Sequence, residues 1–134
     1  MGANSAHFSD AELRCHHGIN GCTQLLVDTL EEIRHKAGDI PVRVNDAYRC
    51  AVCNLALGNA ARNSQHMLGN AADISVPGMT AAQLEEIART IPAVHGIGRD
   101  DRQQYLHVDV RDTPTVSAWC YDDKGDQCPY YPPA

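Results

Sequence analysis

Three pieces of the chain carry side chains whose chemistry needs an explanation. The first is Ser64-Gln65-His66, followed after Met67-Leu68-Gly69-Asn70-Ala71-Ala72 by Asp73. It sets an imidazole in a polar stretch and a carboxylate at the head of an apolar run, Asp73-Ile74-Ser75-Val76. Gly69 and the small Ala71 and Ala72 let the intervening backbone curl closely, so both side chains can converge on one point. A carboxylate opening an apolar strand is expensive to bury unless it is paired or metal-bound. The second piece is Leu106-His107-Val108-Asp109, where alternation places His107 and Asp109 on one strand face. The third is Arg49, whose planar guanidinium can hold a carboxylate bidentately or stabilise an oxyanion.

Two imidazoles and one carboxylate suit a single catalytic zinc ion, which takes three protein ligands and keeps a fourth position for water. Zinc lowers the pKa of that water to about 7 and polarises a carbonyl, so attack on an amide becomes feasible near neutral pH. Each histidine must bind as the neutral ring and needs its other nitrogen oriented by an acceptor, a role open to His95 or Asp109. Taken singly, these residues have plainer readings. A strand histidine is commonly a satisfied core or surface residue, Asp73 can finish a turn, and Arg49 can sit in a surface ion pair.

The elements that must position them are legible as pattern. Ser9-Asp10-Ala11-Glu12 is a capping box that opens a short helix. From Thr23, Leu26, Leu30 and Ile33 recur at helical spacing, and Gly38 supplies a stop after Lys36. Pro41 to Val44 alternates as a strand, residues 51–57 form a short Ala- and Leu-rich segment, and Gly58 to Gly69 reads as a loop. Ala72 to Val76 is a strand, and Thr80 caps a helix with Leu84, Ile87 and Ile91 inward. Val94–Arg99 and Tyr105–Arg111 flank Asp100 to Gln104, a loop short enough for an antiparallel hairpin. With Arg99 opposite Tyr105, Ile97 faces His107 and His95 faces Asp109. Beyond Pro114 the Cys/Pro/Tyr-rich tail is expected to wrap the surface. The fold class is α+β, helices packed on a small antiparallel sheet.

At 134 residues and 43% hydrophobic content, one domain over 1–134 is expected, with its tail from about residue 112. A net charge of −6 without a Lys/Arg run argues against nucleic acid. No apolar stretch approaches the ~20 residues that span a bilayer, and the opening residues lack a basic region followed by an apolar one. No membrane insertion and no signal peptide are therefore expected, and a monomer is the default because no long exposed apolar helix face stands out. The six cysteines fall in close pairs, Cys15 with Cys22, Cys50 with Cys53 and Cys120 with Cys128. Disulfides pairing by proximity are the first reading, since oxidising compartments favour small stapled domains. A structural zinc site built from Cys50 and Cys53 with Cys15, Cys22 or His16-His17 is the second, and free thiols the third.

From His7 to about Arg111 the sequence resembles the zinc D-Ala-D-Ala carboxypeptidase family and its relatives, the murein endopeptidases and the hedgehog signalling domain. The resemblance rests on His66 to Asp73 with its internal Gly, on His107-Val108-Asp109, on Tyr48-Arg49 with Asn54, and on the Phe8-Ser9 to Cys15 stretch. It implies zinc ligation by His66, Asp73 and His107. It also implies a substrate- or oxyanion-holding role for Arg49, with Tyr48, Ser64 and Gln65 lining the site. Relatives commonly carry a carboxylate three residues before the last His, where this chain has Gln104; the base then falls to Asp101, with Asp109 as alternative or supporting residue. A second departure is Asn45-Asp46-Ala47 where Ser-Gly precedes the aromatic-Arg pair. The implied activity is hydrolysis of an amide in peptidoglycan peptides next to a D-amino acid, by a D,D-carboxypeptidase or murein endopeptidase of bacterial or bacteriophage type. The implied place of action is extracytoplasmic or phage-delivered. Alternatives are an L-alanyl-D-glutamate endopeptidase, a non-catalytic zinc-stabilised module binding cell wall or protein, and a purely structural disulfide-stapled protein.

Overall fold

The computed structural model describes residues 2–57, 64–122 and 124–129. In chain order it contains α1 (Asp10–Leu13), α2 (Gln24–Lys36), β1 (Arg43–Asp46), α3 (Ala51–Ala56), β2 (Ala71–Ser75), α4 (Ala81–Arg89), β3 (Gly96–Asp100), β4 (Tyr105–Asp109), β5 (Ser117–Tyr121) and β6 (Gln127–Pro129). Each expected helix start carries its cap. Ser9 and Glu12 close a reciprocal capping box, Thr23 accepts from the Leu26 amide, and Thr80 pairs with Gln83 in a second box. Gly38, at φ +88°, ends α2 in the left-handed conformation that its missing Cβ permits. The expected loop from Gly58 to Gly69 lies outside the described residues over 58–63, as do tail residues 130–134.

The six strands form one sheet in the order β1-β2-β4-β3-β5-β6. The pairings are antiparallel except for β3 with β5, which run parallel. The tail therefore does not simply wrap the surface: it adds two strands, with Cys120 and Cys128 disulfide-bonded across the β5–β6 pair. One sheet face is apolar. Ala72, Ile74, Ile97, Leu106 and Val108 meet Leu26, Leu30, Ile33, Leu84 and Ala88 of α2 and α4 in the core. Each large side chain buried there contributes about 1.5–3 kcal/mol, so this face anchors the sheet and leaves the opposite one for polar work.

The β3–β4 hairpin is one residue out of the expected register. Asp100 pairs with Tyr105, Arg99 with Leu106, Gly98 with His107 and Gly96 with Asp109. A one-residue slip exchanges the faces of a strand, so Arg99 and Ile97 lie on the helix side and the glycines lie behind the histidine. Asp100 joins the strand because its carboxylate accepts from the Gln103 amide and closes the turn inside 101–104. Strand β1 is shifted toward Asp46 and carries an irregularity. Val44 pairs with Ile74 and Asp46 with Asp73, a bulge that turns Asp46 from the core side onto the face of Asp73.

On the helix side, the buried Arg99 guanidinium lies 3.1 Å from Glu85 of α4, which also takes Arg89 at 2.7 Å. Arg99 reaches on to Asp101 at 3.0 Å, whose side chain is 44% exposed. Arg99→Met withdraws the charge facing buried Glu85 and is expected to lower unfolding free energy by roughly 3 kcal/mol. Asp101→Ala, by contrast, is expected to cost less than about 1 kcal/mol. Urea denaturation of both variants, compared at equal slope, checks the pair.

Candidate metal centre

His66 stands at the entry of a turn built from its own neighbours. Its backbone amide donates to Ser64 Oγ at 3.2 Å, and its carbonyl accepts from the amides of Arg49 and Gly69. Gly69, at φ +76°, then presses against the Gly21 carbonyl, where a Cβ would sit at 1.9 Å. The turn delivers the chain into β2, whose alternation sends Asp73 away from Ala72 and Ile74 onto the polar face. His107 is the direct partner of Asp73 on β4. Three atoms from distant parts of the chain thus meet: one donor each of His66, Asp73 and His107 lies within 4.8 Å of the others. His66 Nε2 is 3.4 Å and His107 Nδ1 3.1 Å from Asp73 Oδ1.

Both rings are oriented from behind. His66 Nδ1 faces the Ala47 carbonyl at 2.7 Å and donates to it, which turns Nε2 toward Asp73. His107 Nε2 faces Asp109 Oδ2 at 2.7 Å, leaving Nδ1 toward Asp73. Asp109 is in turn clamped by Arg111, with Nε at 2.8 Å from Oδ1 and Nη2 at 2.7 Å from Oδ2. Two imidazole nitrogens and a carboxylate at these separations match a tetrahedral zinc ion, whose bonds of about 2.1 Å set ligand atoms roughly 3.4 Å apart. The donor chemistry and the backing acceptors both fit zinc.

The charges reinforce the cluster. Burial opposes ionisation of Asp73, but the charges and hydrogen bonds of His66 and His107 hold its carboxyl well below the usual range. Burial likewise opposes the charged form of His107, yet its bonds to Asp109 and Asp73 push its pKa up to about 9. Asp109, buried in spite of its charge, is kept ionised by Arg111 and then by His107.

A cavity of about 860 Å³ opens beside the three donors and is lined by Asp46, Arg49, Ser64, Gln65, Tyr105, Arg111, Trp119 and Tyr121 among others. Arg49 is anchored there, donating from Nη1 to Asn54 at 3.0 Å and to Ser64 Oγ at 3.4 Å, and from Nη2 to Asp46 at 2.6 Å. Ser64 and Gln65 line this cavity. Tyr48 is turned elsewhere: its ring packs against Gly21, where an added Cβ would lie 2.3 Å away, and it does not line the cavity. Asp101 is not brought to the site either. It sits on the helix side of the sheet, bonded to Arg99, because the hairpin register is shifted. His95 faces the Arg111 carbonyl rather than either ring of the cluster. Gln104 accepts from the Ala81 amide at 2.7 Å and so caps α4.

Several cavity residues escaped sequence reasoning. Trp119 lies over Gly98 and packs on His107 at 5.1 Å between ring centroids, while the Arg111 guanidinium lies 5.2 Å from the Trp119 ring centre. Only glycine fits on β3 here: a Cβ at Gly98 would sit 2.4 Å from Trp119 Nε1, and one at Gly96 2.1 Å from the Asp109 carboxylate. Tyr105 and Tyr121 stand 5.7 Å apart. Burial and then the nearby Asp73 push the Tyr105 hydroxyl above its ordinary value and that of Tyr121 to about 12, so both remain donors. The period-two pattern Tyr105, His107, Asp109 was the available signal for Tyr105. Trp119 and Tyr121 alternate in the same way, inside a tail whose Pro and Cys content argued against a strand.

The cysteines divide differently from proximity pairing. Cys120 and Cys128 are bonded, whereas Cys15, Cys22, Cys50 and Cys53 are thiols. Cys22 is buried in the core with its sulfur toward the Leu13 carbonyl. Burial pushes its thiol up to about 11.

Comparison with known proteins matches the profile of the Peptidase M15 family to residues 6–109. The chain belongs to the peptidase M15 family. It is also similar to the zinc D-Ala-D-Ala carboxypeptidase of Streptomyces albus G, at 35% identity over 81 residues, 59% of this chain and 31% of that protein. The matched region thus spans about a third of the relative's length. The M15 match ends at Asp109, and the Arg111 clamp and the strands β5, with its Trp119 and Tyr121, and β6 follow it.

The elevated pKa of His107 gives the metal-free protein a pH signature. Because the folded value of about 9 exceeds the ordinary 6.5, the pairing contributes fully below 6.5 and is lost as pH rises through 9. Metal-stripped protein is expected to lose on the order of 1–3 kcal/mol of stability across that window. Urea titrations at stepped pH read the loss, and His107→Gln is expected to abolish it. Apparent zinc affinity is expected to rise over the same window, since a metal on Nδ1 displaces that proton.

Proposed function

We propose that this chain is a zinc-dependent peptidase that hydrolyses an amide bond in peptidoglycan peptides next to a D-amino acid. The observation that carries the reading is the convergence of His66 Nε2, Asp73 Oδ1 and His107 Nδ1, with each ring held from behind by an acceptor on its other nitrogen. These three residues would hold the ion. When bound, zinc supplies Lewis acidity, polarising the scissile carbonyl and activating water. The name of the Streptomyces relative supports a D,D-carboxypeptidase; murein endopeptidase and L-alanyl-D-glutamate endopeptidase are the other bonds the cavity could serve.

The surrounding residues have separable tasks. Arg49 carries five N–H donors, more than its partners among the described residues, Asn54, Ser64 and Asp46, take up, and offers its remaining edge to a substrate carboxylate or a developing oxyanion. Tyr105 and Tyr121, kept protonated, donate hydrogen bonds into the cavity. Asp109 orients His107 and does not exchange protons with substrate, being spent on His107 and Arg111. The proton then falls to Asp46, which the β1 bulge brings beside Asp73 and whose Oδ2 is held by Arg49, leaving Oδ1 to accept. One sheet carries both the site and the tail strands, which supports reading the chain as one domain. The Cys120–Cys128 disulfide supports an extracytoplasmic place of action.

A non-catalytic, wall-binding module is the second reading, favoured by one observation: position 104 holds a glutamine committed to capping α4. Zinc-loaded protein incubated with purified sacculi and with synthetic stem peptides, followed by new amino groups, separates the two. The enzyme reading expects release by the wild type and at least about a thousandfold loss in His66→Ala. Asp109→Asn is expected to lose 10–100-fold. Asp46→Asn is expected to lose at least about tenfold while retaining zinc, and Asp101→Ala to match wild type. Stoichiometric zinc without any release favours the binding module.

A further inference from the structure

A second set of soft donors lies away from the cavity. Cys15, His17, Cys50 and Cys53 place one ligand atom each within 4.8 Å of one another. His17 Nδ1 is 3.2 Å from the sulfurs of both Cys50 and Cys53. Two separate segments supply them. Residues 15–19 form a tight turn, closed by bonds from the Cys15 amide to the Ile19 carbonyl and from the Gly18 amide to the Cys15 carbonyl, with Gly18 at φ +78°. Cys50 is the N-cap of α3, and Cys53 follows within its first turn. Cys50 makes no capping bond through its side chain, its sulfur being turned to His17. The Tyr48 amide, donating to the Leu13 carbonyl at 3.1 Å, holds the two segments together.

We propose that these four residues bind a second, structural zinc ion as a closed Cys₃His site. Three thiols and an imidazole form a complete tetrahedral set, with zinc bonds of about 2.3 Å to sulfur and 2.0–2.1 Å to nitrogen setting the donors roughly 3.6–3.8 Å apart. Soft thiolates select zinc over the oxygen-preferring calcium and magnesium. A disulfide accounts for the cluster less well, because one bridge leaves a third sulfur and the imidazole without a role. Binding releases the thiol protons and ties the turn after α1 to the start of α3. Cys50 directly follows Arg49, so the ion would brace the backbone that carries this guanidinium, and ligation would protect the thiols from oxidation outside a reducing cytosol.

The full chain, purified without chelator from zinc-supplemented cells, is assayed for metal by elemental analysis and for thiols by alkylation and intact mass. Two zinc ions per chain are expected, with one remaining in His66→Ala, which keeps every donor of the second site. Cys53→Ser is expected to keep one. Cobalt-exchanged wild type and His66→Ala should both show a sulfur-to-cobalt charge-transfer band that Cys53→Ser lacks and His17→Cys retains. Metal-free His66→Ala, or a native mass showing Cys15, Cys50 or Cys53 in disulfides, overturns the proposal, and His66→Ala answers even where Cys53→Ser fails to fold. A wild type holding one thiolate-bound zinc, lost from Cys53→Ser but not from His66→Ala, would sustain this site and count against the catalytic one.

Discussion

The structure depends above all on fixing the orientation of two imidazole rings, each with one nitrogen backed by an acceptor and the other turned toward a single carboxylate. His66 is fixed by the Ala47 carbonyl, a backbone group, and His107 by Asp109, which Arg111 clamps in turn. Burying Asp73, Asp109 and two imidazoles in so small a volume would be prohibitive if any of them lacked a partner. The same network that makes burial affordable leaves the three inward atoms within 4.8 Å of one another, both nitrogens close to the Asp73 carboxylate. Stability and metal competence are therefore two consequences of one arrangement.

The sheet provides that arrangement through its two unlike faces. The helix side packs apolar residues and the Glu85–Arg99 pair, and the far side carries the donors. Two local devices sharpen the division. The β1 bulge turns Asp46 out of the core and beside Asp73, while glycines on β3 clear space for the Asp109 carboxylate and for Trp119. Trp119 in turn covers His107 from the tail strand, so the C-terminal segment completes the wall of the cavity.

The cysteines show the same economy of placement. The bonded pair joins neighbouring strands of the tail at the edge of the sheet. The remaining thiols serve two different surroundings. Cys22 is a small core residue, whereas Cys15, Cys50 and Cys53 gather around His17 next to the segment that bears Arg49.

Much was legible from local pattern, since caps, stops and apolar periods act over a few residues. Ser9, Thr23, Gly38 and Thr80 marked helix ends, and the motifs around His66, Asp73 and His107 marked the residues that meet. Which neighbours complete the site was a matter of register and long-range pairing. One residue taken into β3 by the turn bond of Asp100 sent Asp101 to the helix side and set Gly96 against Asp109. Parallel pairing of β5 with β3 brought Trp119 over His107 from a segment whose composition reads as surface coil. Such choices are settled by sheet pairing and burial between residues far apart in the chain, so residue types and spacing marked the candidate ligands and only the folded sheet selected their supports.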